Sequence, residues 1–186
     1  MSSAGSVEGD ALLRLFLALE LPATTREALG LWQAEHLAGG RLVPREQVHV
    51  TLAFLGRRPA GELGAIVEAL RGAAAGGSAA IELTPMRWHE GRSAGFVVLD
   101  DRGEEASRLA GRLHERLEAL GVYRPESRPW LPHLTVLRFR ARPRLSPPLP
   151  PTGTFVPSGA AAFLSRLHPT GARYEVLERV SLIAGG

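Results

Sequence analysis

His49 and Thr51, in the stretch HVTLAFLG (49–56), stand two residues apart between apolar neighbours. In a strand they project from one face, while Val50 and Leu52 project from the other. The stretch HLTVLRF (133–139) repeats the arrangement with His133 and Thr135, over Leu134 and Val136. An imidazole titrates near neutrality, so one histidine can accept a proton while the other donates one. Each threonine offers a hydroxyl hydrogen bond to an anion. Two facing pairs therefore supply an acid, a base and two donors around one central anion. That set suits in-line attack at phosphorus: one histidine takes a proton from water, the other protonates the departing oxygen, and the hydroxyls steady the non-bridging oxygens. The scheme uses no metal and no cofactor. A cyclic phosphodiester suits it, because the strained ring already favours opening.

The composition fits that chemistry and excludes others. With no cysteine among 186 residues, disulfides, thiolate nucleophiles and cysteine-held metals are excluded. All 22 basic residues are arginine, and the formal net charge is +3. Arginine forks recognise phosphate and stack on bases, so the composition permits a nucleic-acid partner without requiring one. No apolar run approaches the roughly 20 residues that span a bilayer, so no membrane partner is expected. The opening MSSAGSVEGD lacks a basic start and apolar core; residues 1–11 read as a disordered lead and the location as cytoplasmic.

The elements that must hold these pairs follow from periodicity and punctuation. A buried strand is expected over 12–19, and a helix over 24–37 with a threonine at its start. The first motif strand should run 48–55 and close at Gly56. A second helix is expected over 61–74, and two strands over 81–90 and 94–100. The third helix, 104–121, carries Leu109, Leu113, Leu117 and Leu120 at spacings of four, four and three. The second motif strand follows at 133–139, and a proline-rich loop fills 141–153. Closing strands are expected over 161–167 and 172–183. Strands alternating with helices and then dominating imply an α+β domain over 12–183. The motif histidines are 84 residues apart, and each motif strand follows a strand and a helix. A body of two similar lobes around a cleft is the natural inference.

These stretches resemble the two-histidine (2H) phosphoesterase superfamily, and within it the LigT-like RNA 2′,3′-cyclic phosphodiesterases, also known as 2′-5′ RNA ligases. The resemblance rests on RLFLALELP (14–22), HVTLAFLG, PHLTVLR (132–138) and the ending SRLHPTGARYEVLERVSL. It implies two pseudo-symmetric lobes of antiparallel sheet with covering helices. It also implies hydrolysis of an RNA 2′,3′-cyclic phosphate, on a tRNA fragment, another RNA end or a small cyclic nucleotide, by a monomer. His49 would be the proton donor and His133 the acceptor, with Thr51 and Thr135 binding phosphate. Arg138, Phe54 and Trp130 are further substrate-binding candidates, although packing is the expected role of Phe54 and Trp130. Arg140, Arg142 and Arg144, alternating after Arg138, are candidates for one side of the cleft. His114 is expected in solvent, His36 in a surface loop, His168 as a structural residue of a turn, His89 at a strand end beside Trp88 with a substrate-rim role the lesser expectation, and Trp32 in the core. Competing readings keep the site but act on 2′-5′ linkages or join RNA halves, bind RNA ends without turnover, or use the histidines for a metal.

Overall fold

The computed structural model describes residues 11–182 of the chain. The expected disordered lead, apart from residue 11, lies outside the described residues, as does residue 183. The strands are β1 (Leu12–Glu20), β2 (Arg41–Leu42), β3 (His49–Pro59), β4 (Leu83–Glu90), β5 (Ala94–Asp101), β6 (His133–Arg138), β7 (Gly159–Arg166) and β8 (Arg173–Val180). Three helices intervene: α1 (Ala23–His36), α2 (Leu63–Ala75) and α3 (Glu105–Ala119). The sheet has eight strands in the order β4-β5-β6-β3-β1-β7-β8, with β2 paired to β6. Every pairing is antiparallel.

Next to the junction of β3 and β6 the order repeats, with β1 beside β3 and β5 beside β6. On one side β1, α1 and β3 follow in sequence; on the other, β5, α3 and β6 do. Within each half the two strands pair over most of their length. Across the junction only Val50 and Leu134 are paired. The two expected lobes are therefore two halves of one continuous sheet, joined at the motif strands.

Apolar alternation explains which face carries what. In β1, Leu15, Leu17 and Leu19 enter the main core, while Phe16 and Ala18 join Phe163 and Ala161 in a second cluster on the opposite face. A strand buried on both faces reads as a continuous apolar run, as LLRLFLAL does. The main core also takes Leu29 and Trp32 from α1, Ile66 and Leu70 from α2, and Leu109, Leu113 and Leu117 from α3. Leu120, expected to continue the last of these rows, lies just past the end of α3 and is exposed, and Val122 is buried nearby. Asp101, at the end of β5, accepts from the backbone N–H groups of Ala106 and Ser107 and so fixes the start of α3.

Some boundaries differ from expectation. Pro22, not a threonine, precedes α1, and no side chain caps it. β3 does not stop at Gly56, whose φ of 67° lets the strand bend and run on to Pro59. β2, with only two residues, carries too little alternation to be seen in sequence. Among the described residues no helix is long and apolar enough to cross a membrane.

Candidate active site

The single pair Val50–Leu134 sets the geometry of the site. Antiparallel register then places His49 opposite Thr135 and Thr51 opposite His133. Both anchoring residues are fully buried in the core beneath, so all four polar side chains stand on the other face. They occupy the corners of a square with the histidines on one diagonal. Directly opposed Cβ atoms lie about 5 Å apart and diagonal ones about 7–8 Å, which suits two imidazoles reaching one anion from opposite sides.

Each histidine is oriented in the same way. The Nδ1–H of His49 donates to the Gln47 carbonyl at 2.7 Å, and that of His133 to the Leu131 carbonyl at 2.9 Å. A carbonyl only accepts, so Nδ1 carries the hydrogen and Nε2 faces the centre in both rings. At His49, Nε2 lies 3.0 Å from the Thr51 hydroxyl.

Both motif strands also carry a bulge at the same offset. Along β1, Leu17 pairs with Ala53 and Ala18 with Thr51, so Leu52 is passed over. Along β5, Gly95 pairs with Leu137 and Phe96 with Thr135, so Val136 is passed over. Two consecutive residues thus face the core in each strand: Leu52 with Ala53, and Val136 with Leu137. The extra residue reverses the alternation. It turns Phe54 and Arg138, five residues after each histidine, back onto the face that carries the histidines.

The bulge carbonyls are met by side chains. His114 of α3 donates from Nε2 to the Leu52 carbonyl at 2.7 Å, and Trp130 donates to the Thr51 carbonyl at 3.0 Å. Gln33 of α1 donates to the carbonyls of Val136, at 2.8 Å, and Val43, at 2.9 Å. His114 is therefore not the solvated histidine expected from its charged helix. Nor was Gln33, which is 2% exposed, singled out by sequence; a polar residue among the apolar positions of a helix was the available signal.

Two cavities meet at this centre, sharing Thr51 and Phe54. The first, about 500 Å³, includes His133, Phe96, Tyr123, Trp130, Arg87 and Arg128. The second, about 380 Å³, includes His49, Thr135, Arg14, Arg41, Arg138 and Tyr174. Phe54 is 50% exposed between them, so the expectation that it packs is corrected: the bulge reverses its facing. Trp130 both lines the aromatic cavity and holds Thr51. His89 lines the same cavity, the lesser of the two placements expected for it. Of the alternating arginines only Arg138 lines either cavity. Arg142 instead bonds the Gly91 carbonyl, and the Arg144 backbone bonds Glu90.

The two histidines differ electrostatically. His49 is packed against Phe16 (centroids 4.8 Å) and Tyr174 (5.4 Å), with Phe163 at 6.1 Å. Burial pushes its pKa down to about 4; the bond to Gln47 opposes this, and the positive charges of His133 and Arg138 add to it. His133 meets one ring among the described residues, that of Phe96, edge-on at 5.1 Å. Among the described residues no group of three or more His, Asp or Glu side chains is placed to hold a metal ion.

An acid–base centre built across two repeats, with a hydroxyl beside each imidazole, is the arrangement of a two-histidine phosphoesterase. The sequence profile of the LigT-like phosphoesterases matches residues 19–84. The chain is 34% identical to the RNA 2′,3′-cyclic phosphodiesterase of Thermus thermophilus over 91% of its own length and 90% of the relative's. It is 29% identical to the protein of that name from Escherichia coli, covering 91% and 96%. The crystal structure of E. coli LigT complexed with 3′-AMP superposes with a TM-score of 0.76 at 28% identity, covering 91% of this chain and 97% of that one. This chain belongs to the LigT-like phosphoesterase family.

Proposed function

We propose that this protein is an RNA 2′,3′-cyclic phosphodiesterase that opens a terminal cyclic phosphate to a 2′-phosphomonoester. The observation that carries the reading is the diagonal of two Nε2-presenting histidines flanked by two threonine hydroxyls on one sheet face. The names of the two bacterial relatives and the 3′-AMP held by E. coli LigT support the same substrate chemistry.

In the scheme, Thr51 and Thr135 donate to the non-bridging oxygens, and Arg138 adds a charged donor. His133 Nε2 takes a proton from water as the water oxygen bonds to phosphorus. The bond from phosphorus to the 3′ oxygen breaks, and His49 Nε2–H passes its proton to that oxygen. The ring opens with one proton taken up and one released. His49 is neutral in the free protein at pH 7, so its proton arrives with the substrate: the phosphate anion favours imidazolium and offsets the burial.

The test is turnover of an RNA bearing a 2′,3′-cyclic end, and of a cyclic mononucleotide, in EDTA, with 2′- and 3′-phosphate products separated. Appearance of the 2′-phosphate is expected. A folded wild-type protein inactive on both would overturn the reading.

A second reading is favoured by one observation. The aromatic cavity on the His133 side, about 500 Å³, far exceeds the roughly 30 Å³ share of one water. A 5′-hydroxyl RNA end attacking from there in place of water would give a 2′-5′ linkage by the same proton transfers. Adding a 5′-hydroxyl oligonucleotide and analysing for a 2′-5′ joined product decides between joining and hydrolysis alone.

A further inference from the structure

The cavity on the His49 side holds more positive charge than one cyclic phosphate requires. Arg14, Arg41 and Arg138 line it, and among the described residues no carboxylate does. Among the described residues none of these three pairs with an acid, whereas Arg58, Arg71, Arg108, Arg166 and Arg179 each do. A cyclic phosphodiester carries a single negative charge. Arg138, close enough to depress the His49 pKa, is placed to meet it. Arg14 and Arg41 are left without a counterion.

The local structure keeps these charges in place at a cost. Arg41 stands directly opposite Arg138 in the β2–β6 pair, and Arg14 opposite Arg57 in the β1–β3 pair. Like charges directly opposed across strands are destabilising. The Arg14 guanidinium lies over the Phe54 ring, 5.0 Å from its centroid, which fixes its plane beside the site. Gly171, in the turn between β7 and β8, has φ of 122°, and a Cβ there would collide with the Arg41 guanidinium. The turn thus leaves room for that side chain at the cavity wall. Two planar forks, unpaired and held on one wall, suit a phosphate.

We propose that Arg14 and Arg41 form a subsite for a second phosphate, carried on the 5′ oxygen of the same terminal nucleoside. This rests on the assignment of His49 as proton donor, because the ribose then lies on the His49 side of the scissile phosphorus, and its 5′ substituent extends into this cavity. The preferred substrates are cyclic-phosphate ends with a 5′ phosphate group. That group is either an internucleotide linkage in an RNA or a free 5′-monophosphate.

Three substrates separate the cases: adenosine 2′,3′-cyclic phosphate, its 5′-phosphorylated form, and the dinucleotide ending in a cyclic phosphate. Wild-type kcat/KM is expected to be at least about tenfold higher for one or both phosphate-bearing substrates than for the first. Arg14→Gln and Arg41→Gln should each pull that ratio several-fold toward one. A gain confined to the dinucleotide and lost in both variants supports the subsite and identifies RNA as its source. A gain that survives both replacements overturns it. Equal efficiency on all three overturns it while leaving the hydrolase reading in place, whereas no turnover of any overturns the hydrolase reading. Calorimetry decides the subsite without turnover: adenosine 2′,5′-bisphosphate should bind at least about tenfold more tightly than adenosine 2′-monophosphate, and equal affinity overturns it.

Discussion

The two halves of the centre share a frame and differ in what surrounds it. Each has a histidine donating from Nδ1 to the carbonyl two residues back, a threonine beside it, a bulge three residues on, and a helix-borne side chain on the bulge carbonyl. Around that frame nearly everything diverges. His49 is enclosed by three aromatic rings and bonded at both nitrogens, while among the described residues His133 meets one ring edge and is bonded through Nδ1. After the bulge one strand turns out Phe54 and the other Arg138. Duplicated backbone geometry thus supplies two equivalent positions, and the neighbours make one of them hold its proton poorly.

The comparison breaks most sharply at the imidazoles. His49→Ala and His133→Ala should each lower kcat at least about a hundredfold, in line with acid–base contributions, with the fold intact by circular dichroism. If one variant kept near-wild-type turnover, the two positions would not be partners.

The braces come next. His114→Ala leaves the Leu52 carbonyl without its donor and should reduce kcat about tenfold, with KM changed less. His114→Gln should recover most of that loss, because Gln33 performs the equivalent task in the other half. Failure of glutamine to rescue would show that the two braces are not interchangeable. Gln33→Leu takes one of two donors from the Val136 carbonyl, which keeps the Val43 backbone N–H, and takes the side-chain donor from the part-buried Val43 carbonyl; it should cost about 1–2 kcal/mol in denaturant unfolding.

The last test addresses pH. His49 has a folded-state pKa of about 4, below the ordinary value of 6.5. The unfolded chain therefore binds more protons there, and its contribution to stability is complete above pH 6.5 and is lost as pH falls toward 4. His49→Gln should flatten the stability profile across that window, and NMR titration of the wild-type ring should report the low value directly. Phosphate, bound beside the ring, should raise it.

The sequence made the motif strands legible because alternation is a local signal: His49, Thr51, His133 and Thr135 fall where parity puts them. Phe54 was expected to pack, because nothing in Leu52-Ala53 announces that both will face the core and return Phe54 to the histidine face. The bulge is a property of the pairing with β1, not of the segment. His114 and Gln33 were illegible for a related reason. Each bonds a carbonyl remote in sequence, 62 and 103 residues away respectively, and a helix residue carries no mark of a partner that distant. The long helix α3 and the Leu-rich strand β1 were clear, while β2 was too short to show a period.

The braces are cross-wired. α1 belongs with β1 and β3, yet its glutamine steadies the strand of His133; α3 belongs with β5 and β6, yet its histidine steadies the strand of His49. Each repeat thus holds the support for the other's imidazole, and neither, cut free, would keep the helix side chain that steadies its own motif strand.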